Sequence, residues 1–179
     1  MDDRDIDCSE PTATPLPTTY YLTPTFHFFN NVRILIQRVK RAGVVVEGRD
    51  VSEIGKGLLL FVGICKDDGI QDVEYLSKKV VNLRIFEDAD GKMNLNIKQA
   101  NGQILSVPQF TLYADTAKGN RPGFDRTADP EKAKDYWLRL NDLLRDESVG
   151  VSNGVFAAHM EVGLVNDGPV TIWLDSINR

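Results

Sequence analysis

Hydrophobic and polar positions alternate or cluster along most of the chain in patterns that predict strands first and then a helix. Residues 33–39 and 44–47 are predicted as two strands, with a third short strand near Gly48. Residues 57–63 form a continuous apolar run of strand length, which is typical of a strand covered on both faces. Apolar residues then recur every three or four positions, which predicts an amphipathic helix over residues 70–83.

The middle of the chain carries turn signals and two more predicted strands. Residues 88–91 have the composition of a turn. The Asn101-Gly102 pair is a strong hairpin signal ahead of a strand over residues 103–107, and residues 109–114 are predicted to continue as another strand.

The last third predicts a second helix and a return to strands. Asp129 can cap this helix, Pro130 suits its first turn, and one apolar face extends to Leu144. Residues 160–165 and 170–175 are predicted as strands joined by a turn. Because strands and helices do not alternate as regular βαβ units, we predict an α+β domain with a mixed or antiparallel β-sheet and two main helices packed on it.

The first 31 residues differ from the rest of the chain. They contain four of the eight prolines, five acids and one base, and they show no hydrophobic period. Such a composition is typical of a disordered or loosely packed extension, so we predict an extension over residues 1–31 and a single domain over residues 32–179. The acidic start is unlike a secretory signal or a transit peptide, which favours a cytoplasmic location.

Composition narrows the function without identifying it. With 42% hydrophobic and 26% charged residues, the chain suits one ordinary domain, and its longest apolar run is far too short for a membrane span. Two cysteines and two histidines leave little material for a metal site, so we expect neither a metal nor a cofactor. The net charge is −5, and no overall basic character indicates nucleic acid.

The usual catalytic motifs are missing. The sequence has no Gly-rich phosphate loop, no Gly-x-Ser-x-Gly elbow and no paired-cysteine motif. His159 is only two residues from Glu161 on a predicted strand, which favours a structural or solvent-facing histidine over a catalytic base. Cys65 ends a buried strand and is interpreted as a small hydrophobic residue. From composition and spacing alone, an enzyme is not the first interpretation.

Two segments are unusual for plain structural elements. In residues 108–114, polar Gln109 and Thr111 interrupt an apolar stretch directly after a proline. In residues 166–171, Pro169 removes a backbone donor where the next strand is predicted to begin. On pattern alone these segments are interpreted as a strand edge and a turn.

These segments belong to a set of eight motifs with a specific order and spacing. The motifs are Gln37-Arg-Val39, Gly57-Leu-Leu59, Asn82-Leu-Arg-Ile-Phe-Glu87, Gly91-Lys-Met93, Gln109-Phe-Thr-Leu-Tyr-Ala-Asp115, Arg121-Pro122, Phe156-Ala-Ala-His-Met160 and Leu164-Val-Asn-Asp-Gly-Pro-Val-Thr171. Residues 32–176 thereby resemble the D-aminoacyl-tRNA deacylases, the D-tyrosyl-tRNA deacylase family. The fifth and eighth motifs match the signature stretches of that family.

The resemblance implies a homodimeric enzyme with a barrel-like sheet. Its partner would be aminoacylated tRNA, from which it would hydrolyse the ester of a misattached D-amino acid or glycine. By this resemblance Gly168 and Pro169 would be joined by a cis peptide bond, reach into the neighbouring subunit's site and act as the chirality filter. A rigid wall is needed because enantiomers carry the same chemical groups. Arg38 matches the family's arginine that holds this motif in place.

The resemblance also implies roles around the pocket. Gln109, Phe110 and Thr111 would line the site of the adenosine and the ester, with the Phe110 backbone N–H as a candidate oxyanion donor. Thr111 is a candidate nucleophile, although no residue is an obvious base for it; the alternative is assistance by the substrate's own 2′-hydroxyl. Phe156, Ala157 and Met160 would line the same pocket by shape.

One position departs from the family pattern. The family usually has serine before Gln109, where this chain has Pro108. A related animal deacylase has proline there but alanine in place of Phe110, which favours the D-specific assignment for this chain. Two alternatives stay open: a nucleic-acid-binding dimer of the same fold without catalysis, and a relative that proofreads a small L-amino acid.

Overall fold

The computed structural model describes residues 31–177, so the predicted extension, apart from its last residue Asn31, lies outside the described residues. Eight strands, two α-helices and one short 3₁₀ helix make up this region. In chain order they are β1 (Arg33–Val46), β2 (Arg49–Ile54), β3 (Gly57–Gly63), α1 (Ile70–Asn82), β4 (Phe86–Glu87), β5 (Met93–Leu95), β6 (Gln103–Pro108), the 3₁₀ helix (Phe110–Tyr113), α2 (Pro130–Asp146), β7 (Gly150–Asn153) and β8 (Glu161–Asp175).

The long strand β1 organises the sheet. One of its edges pairs antiparallel with β3 along residues 33–39 and with β2 along residues 42–46, while β8 runs antiparallel along the other edge. The order continues from β3 to β6 and β7 through parallel pairs. Because β2 also contacts β6 and β7, the sheet nearly closes into a barrel. The predicted mixed, barrel-like sheet with two main helices is confirmed.

Apolar residues of β3 divide between two hydrophobic clusters. Leu58 and Leu60 join the cluster formed with the two helices, whereas Leu59 joins a cluster inside the barrel with Leu105 and Val107. The strand is therefore covered on both faces, which confirms the prediction for residues 57–63. Both helices also match their predicted ranges, and the Asp129 side chain accepts a hydrogen bond from the backbone N–H of Lys132.

Several predicted elements are wrong in detail. Residues 33–46 form one strand, with charged Lys40 exposed inside it. The turn at Asn101 leads into β6, which runs parallel to β3, so no hairpin forms there. Residues 166–168 lie within the single strand β8 as an irregular bulge against β1. Strand β7 and the small β4–β5 hairpin were not predicted.

The segment after Pro108 is the correction that bears most on function. Residues 109–114 were predicted as a strand, but the chain leaves the sheet at Pro108, which has no backbone N–H for a further ladder bond. The backbone N–H of Gln109 still donates to the Val62 carbonyl at 2.7 Å, and the chain then turns into the 3₁₀ helix. This turn is anchored by Tyr113, which is buried and whose hydroxyl donates to the Asn31 carbonyl.

Candidate active site

A pocket of about 650 Å³ opens where β3 and β6 end. One wall comes from Gln109 and Phe110, the opposite wall from the segment after β7, and the floor from α2. Its lining residues are mostly apolar: Val62, Ile64, Val107, Pro108, Gln109, Phe110, Thr127, Ala128, Pro130, Ala133, Trp137, Phe156, Ala157, Ala158, His159, Met160 and Val162. Five of the nine predicted site residues are therefore together: Gln109, Phe110, Phe156, Ala157 and Met160.

Phe110 presents an unusually exposed aromatic ring at the pocket. Its side chain is 58% exposed, and its ring meets Phe124 edge to face with centroids 5.1 Å apart. As the first residue of the 3₁₀ helix, Phe110 has a backbone N–H without an intrahelical acceptor. The wall thus combines an apolar ring with a backbone donor.

Thr111 lies beside this wall and does not line the pocket. Its hydroxyl oxygen accepts a hydrogen bond from the Gln109 side-chain amide, and the residue is exposed. Among residues 31–177, no carboxylate or imidazole forms a hydrogen bond with this hydroxyl. Thr111 consequently has no general base in contact with it within one subunit.

The opposite wall is shaped by close packing. The sulfur of Met160 accepts from the backbone N–H of Val155 at 3.4 Å, and a Cβ on Gly154 would lie only 2.9 Å from that sulfur. The Phe156 ring packs against Trp137 with centroids 6.1 Å apart. Trp137 is fixed in turn because its indole N–H donates to the Ser106 hydroxyl at 2.8 Å. These contacts fix the shape of the wall without supplying ionisable groups.

No pattern in the sequence marks the part of the pocket that comes from α2. Ala133 and Trp137 belong to the apolar helix face, which the periodicity assigns to the core, yet both also line the pocket. His159 was interpreted as structural or solvent-facing; it is exposed and lines the pocket. The only sequence signal that His159 lies at the pocket is its place in the motif of residues 156–160, between Ala158 and Met160. Within the described region, no group of three or more His, Cys, Asp or Glu side chains is arranged to hold a metal.

Gly168 and Pro169 lie outside this pocket and are exposed on the β8 bulge. The peptide bond between them is cis, as the resemblance implied. The Asn166 side chain supports the bulge: its oxygen accepts from the Val170 N–H at 3.0 Å, and its amide donates to the Gln37 side chain. The bulge is therefore held at both ends by polar contacts.

Arg38 is buried beneath the bulge and does not reach the pocket. Its Nε donates to the Asp167 carbonyl at 3.1 Å and lies 3.3 Å from that residue's carboxylate. Its Nη1 donates to the Ile85 carbonyl, and its Nη2 lies 3.7 Å from a Glu87 carboxylate oxygen. The guanidinium thus fixes the bulge to the segment that follows α1, which is a positioning role.

A second polar group is buried next to the pocket, between β3 and α1. Burial, and then the charge of Asp72, raise the pKa of Asp68 to about 7, although the carboxylate accepts from the Cys65 N–H at 2.6 Å. Its other oxygen is buried without a hydrogen-bond partner. Burial also raises the pKa of Tyr113. Cys65 itself is fully buried, as predicted.

The described part of the chain contains no helix long and apolar enough to cross a membrane.

Comparison with known proteins gives consistent results. A family model described as D-Tyr-tRNA(Tyr) deacylase matches residues 35–175. A D-aminoacyl-tRNA deacylase of Thermotoga petrophila is 54% identical over 145 residues, which cover 81% of this chain and 97% of the relative. A protein of the same name from Dictyoglomus turgidum is 52% identical over 145 residues, 81% of this chain and 93% of the relative.

Two solved structures share the fold. One, described as c-Myc DNA Unwinding Element Binding Protein, is 37% identical with a TM-score of 0.75, covering 79% of this chain and 97% of its own. The other, described as a probable eukaryotic D-amino acid tRNA deacylase, is 17% identical with a TM-score of 0.70, and the match covers 81% of this chain and 99% of that chain.

Proposed function

The chain belongs to the D-Tyr-tRNA(Tyr) deacylase family, a family of hydrolases, and from that premise we propose that it cleaves the ester between a D-amino acid and the terminal adenosine of tRNA. Water adds its hydroxyl to the acyl carbon, the ester C–O bond breaks, and a free amino acid and a tRNA with a free terminal hydroxyl are released. One observation carries the assignment: the pocket is built where two of the family's motifs meet, at Gln109–Phe110 and at residues 156–160.

The pocket supports a mechanism in which the protein orients the ester and stabilises charge. We assign to the Phe110 N–H, which has no intrahelical acceptor, the role of donor to the oxyanion that forms as water attacks. Because Thr111 has no base in contact within the subunit, the substrate's 2′-hydroxyl is the better candidate to assist the attack. No cofactor is part of this proposal.

Chirality is the task that we assign to the Gly168–Pro169 bulge of a second subunit. Within one chain the bulge is exposed and lies outside the pocket, so it can contribute only by reaching into a neighbour's site. The buried Arg38 makes the bulge rigid, as a steric wall against L side chains requires. Glycine has no side chain to meet such a wall, so glycyl-tRNA is expected to be a substrate as well.

The proposed homodimer is also supported by the surface near the bulge. Strand β8 exposes three large apolar side chains, Leu164, Val165 and Trp173. We take these exposed apolar side chains, which lie on either side of the bulge along β8, as candidates for the subunit interface. A cytoplasmic location follows from the proposed substrate.

The first experiment compares hydrolysis of D-tyrosyl-tRNA and L-tyrosyl-tRNA by the intact chain and by Thr111→Val. We expect cleavage of the D-ester alone, with kcat of the variant within roughly threefold of the wild type, because Thr111 takes no part in the proposed chemical step, whereas loss of a side chain that transfers a proton would cost about 10²–10⁴-fold. A D-tyrosyl-tRNA ending in 2′-deoxyadenosine should resist cleavage. A loss of more than roughly a hundredfold in Thr111→Val would instead place the Thr111 hydroxyl in the chemical step.

A second function is favoured by the relative described as a DNA unwinding element binding protein, which is 37% identical. This chain would then bind nucleic acid without hydrolysing it. Binding of tRNA fits both functions, whereas cleavage of the D-ester fits only the first. If the L-ester is cleaved faster than the D-ester, the chain proofreads an L-amino acid.

A further inference from the structure

Three cationic residues, Lys66, Arg126 and Lys132, are linked by hydrogen bonds to backbone groups beside the pocket lining. They come from three segments: Lys66 follows β3, Arg126 lies in the loop before α2, and Lys132 is in the first turn of α2. The Lys66 N–H donates to the Arg126 carbonyl at 3.0 Å, and the Lys132 ammonium donates to the Lys66 carbonyl at 2.6 Å. We call these three residues the basic rim.

The basic rim directly borders the pocket. Arg126 precedes the lining residue Thr127, and Lys132 precedes the lining residue Ala133. Lys66 is two residues beyond Ile64, which also lines the pocket. A ligand that fills the pocket and continues outward on this side would run close to these residues.

The charges of the basic rim are not neutralised by ion pairs within residues 31–177. The Asp129 carboxylate, which is close in sequence, accepts from the backbone N–H of Lys132 as a helix cap. Arg126 uses one N–H on the side-chain oxygen of Asn31, and its guanidinium has other donors. The Lys132 ammonium contacts a carbonyl and the ring of Tyr136, and its charge also acts on the buried Asp68 carboxyl.

From this placement we propose that the basic rim binds backbone phosphates at the single-stranded 3′ end of tRNA while the terminal adenosine and its ester occupy the pocket. The inference rests on the proposed function. It explains how a chain with a net charge of −5 can hold a polyanion, since only local charge near the ester is needed. The rim would orient the strand and lower KM, and it takes no part in the chemical step.

The test compares Lys66→Glu with Lys78→Glu, which makes the same change of charge on the exposed face of α1, away from the pocket. Lys66 contacts its neighbours through its backbone, so the variant keeps those hydrogen bonds. We expect KM for D-tyrosyl-tRNA to rise about tenfold in Lys66→Glu with kcat unchanged, and the slope of log affinity against log salt to decrease in magnitude by about 0.7 for each lost phosphate contact. Lys78→Glu should resemble the wild type.

D-tyrosyl-adenosine, which lacks phosphates, separates this role from a structural one. The wild type and Lys66→Glu should hydrolyse D-tyrosyl-adenosine at the same rate. The proposal is overturned if Lys66→Glu loses as much activity on D-tyrosyl-adenosine as on D-tyrosyl-tRNA, or if Lys78→Glu raises KM for D-tyrosyl-tRNA as much as Lys66→Glu does. Binding of tRNA that carries no amino acid, measured by fluorescence anisotropy, is independent of catalysis. If the wild type cleaves neither ester, the proposed function fails. In that case the basic rim is still supported if Lys66→Glu binds tRNA more weakly than the wild type and Lys78→Glu does not, and it is rejected if Lys66→Glu binds as tightly as the wild type.

Discussion

Gly168 is the residue at which backbone conformation and neighbouring atoms together restrict the amino acid most strongly. Its φ of +125° lies in a region that L side chains rarely adopt. A Cβ there would lie 2.8 Å from a Val170 methyl carbon and 3.1 Å from the Arg38 guanidinium. Since both neighbours are buried, neither can move away freely. A side chain at this position must therefore displace the bulge itself.

We accordingly expect Gly168→Ala to reduce kcat/KM for D-tyrosyl-tRNA by at least roughly tenfold, since displacements of about 1 Å near a site can cost about a hundredfold. The backbone strain should also lower the free energy of unfolding by about 1–3 kcal/mol. Steady-state kinetics and urea unfolding measure the two effects. Gly55→Ala is the matched control, because a Cβ at Gly55 meets nothing within 4 Å. Wild-type kinetics in Gly168→Ala would contradict a role for the bulge in the site.

Among the secondary-structure elements, the short connection from β3 to α1 depends on one buried acid. Asp68 holds the Cys65 backbone, and Cys65 forms an isolated bridge with Thr127 at the pocket. The pKa of this carboxyl is about 7 in the folded chain and near 3.8 when the chain is unfolded. Between these pH values the unfolded chain binds fewer protons, so this group lowers the free energy of unfolding as pH rises.

Replacing Asp68 with Asn should flatten that pH dependence. The wild type is expected to lose stability between about pH 4 and pH 7, with a slope from this group of at most about 1.4 kcal/mol per pH unit. Asp68→Asn keeps an oxygen for the Cys65 N–H and does not titrate, so this slope should disappear. Urea unfolding across the pH range measures it, with exposed Asp67→Asn as the control. An unchanged slope in Asp68→Asn would assign the titration to another group.

Secondary-structure elements with a clear local sequence pattern were predictable, whereas elements whose conformation depends on contacts with distant residues were not. The periodic apolar face and the Asp129 cap predicted α2. By contrast, residues 109–114 alternate polar and apolar side chains as a strand would, and the 3₁₀ helix forms because Pro108 ends the ladder and Tyr113 bonds to Asn31. The Asn-Asp-Gly sequence at residues 166–168 is typical of a turn, but pairing with β1 keeps it within β8.

At the scale of the whole molecule, the candidate site is divided between two places. The pocket residues are together, whereas the Arg38-supported bulge with Gly168 and Pro169 is elsewhere on the same chain. No pattern in a single sequence specifies such a division, because under the proposed function it depends on how a second copy docks. The resemblance to the family supplied the residues, and their separation within one chain is the reason for proposing that two chains form each site.

Complementation between two inactive variants tests this division. Ala157→Trp fills the pocket from an exposed position, and Gly168→Val disrupts the bulge. Each variant alone should be inactive, but an equal mixture allowed to exchange subunits should regain roughly a quarter of the wild-type sites, since half the dimers carry one intact pair. Light scattering verifies that each variant is dimeric. No recovery of activity after verified exchange would place the pocket and the bulge in one chain's site.

The pairing of β1 with β8 also has a consequence for biosynthesis. These strands are the first and the last of the domain, and their ends are joined by contacts 144 residues apart, between Val32 and Ser176 and between Asn31 and Asp175. While the chain is being made, β1 keeps one edge unpaired until β8 has been synthesised. Closing so long a loop is slow, so we expect the β1–β8 pair to form late in folding.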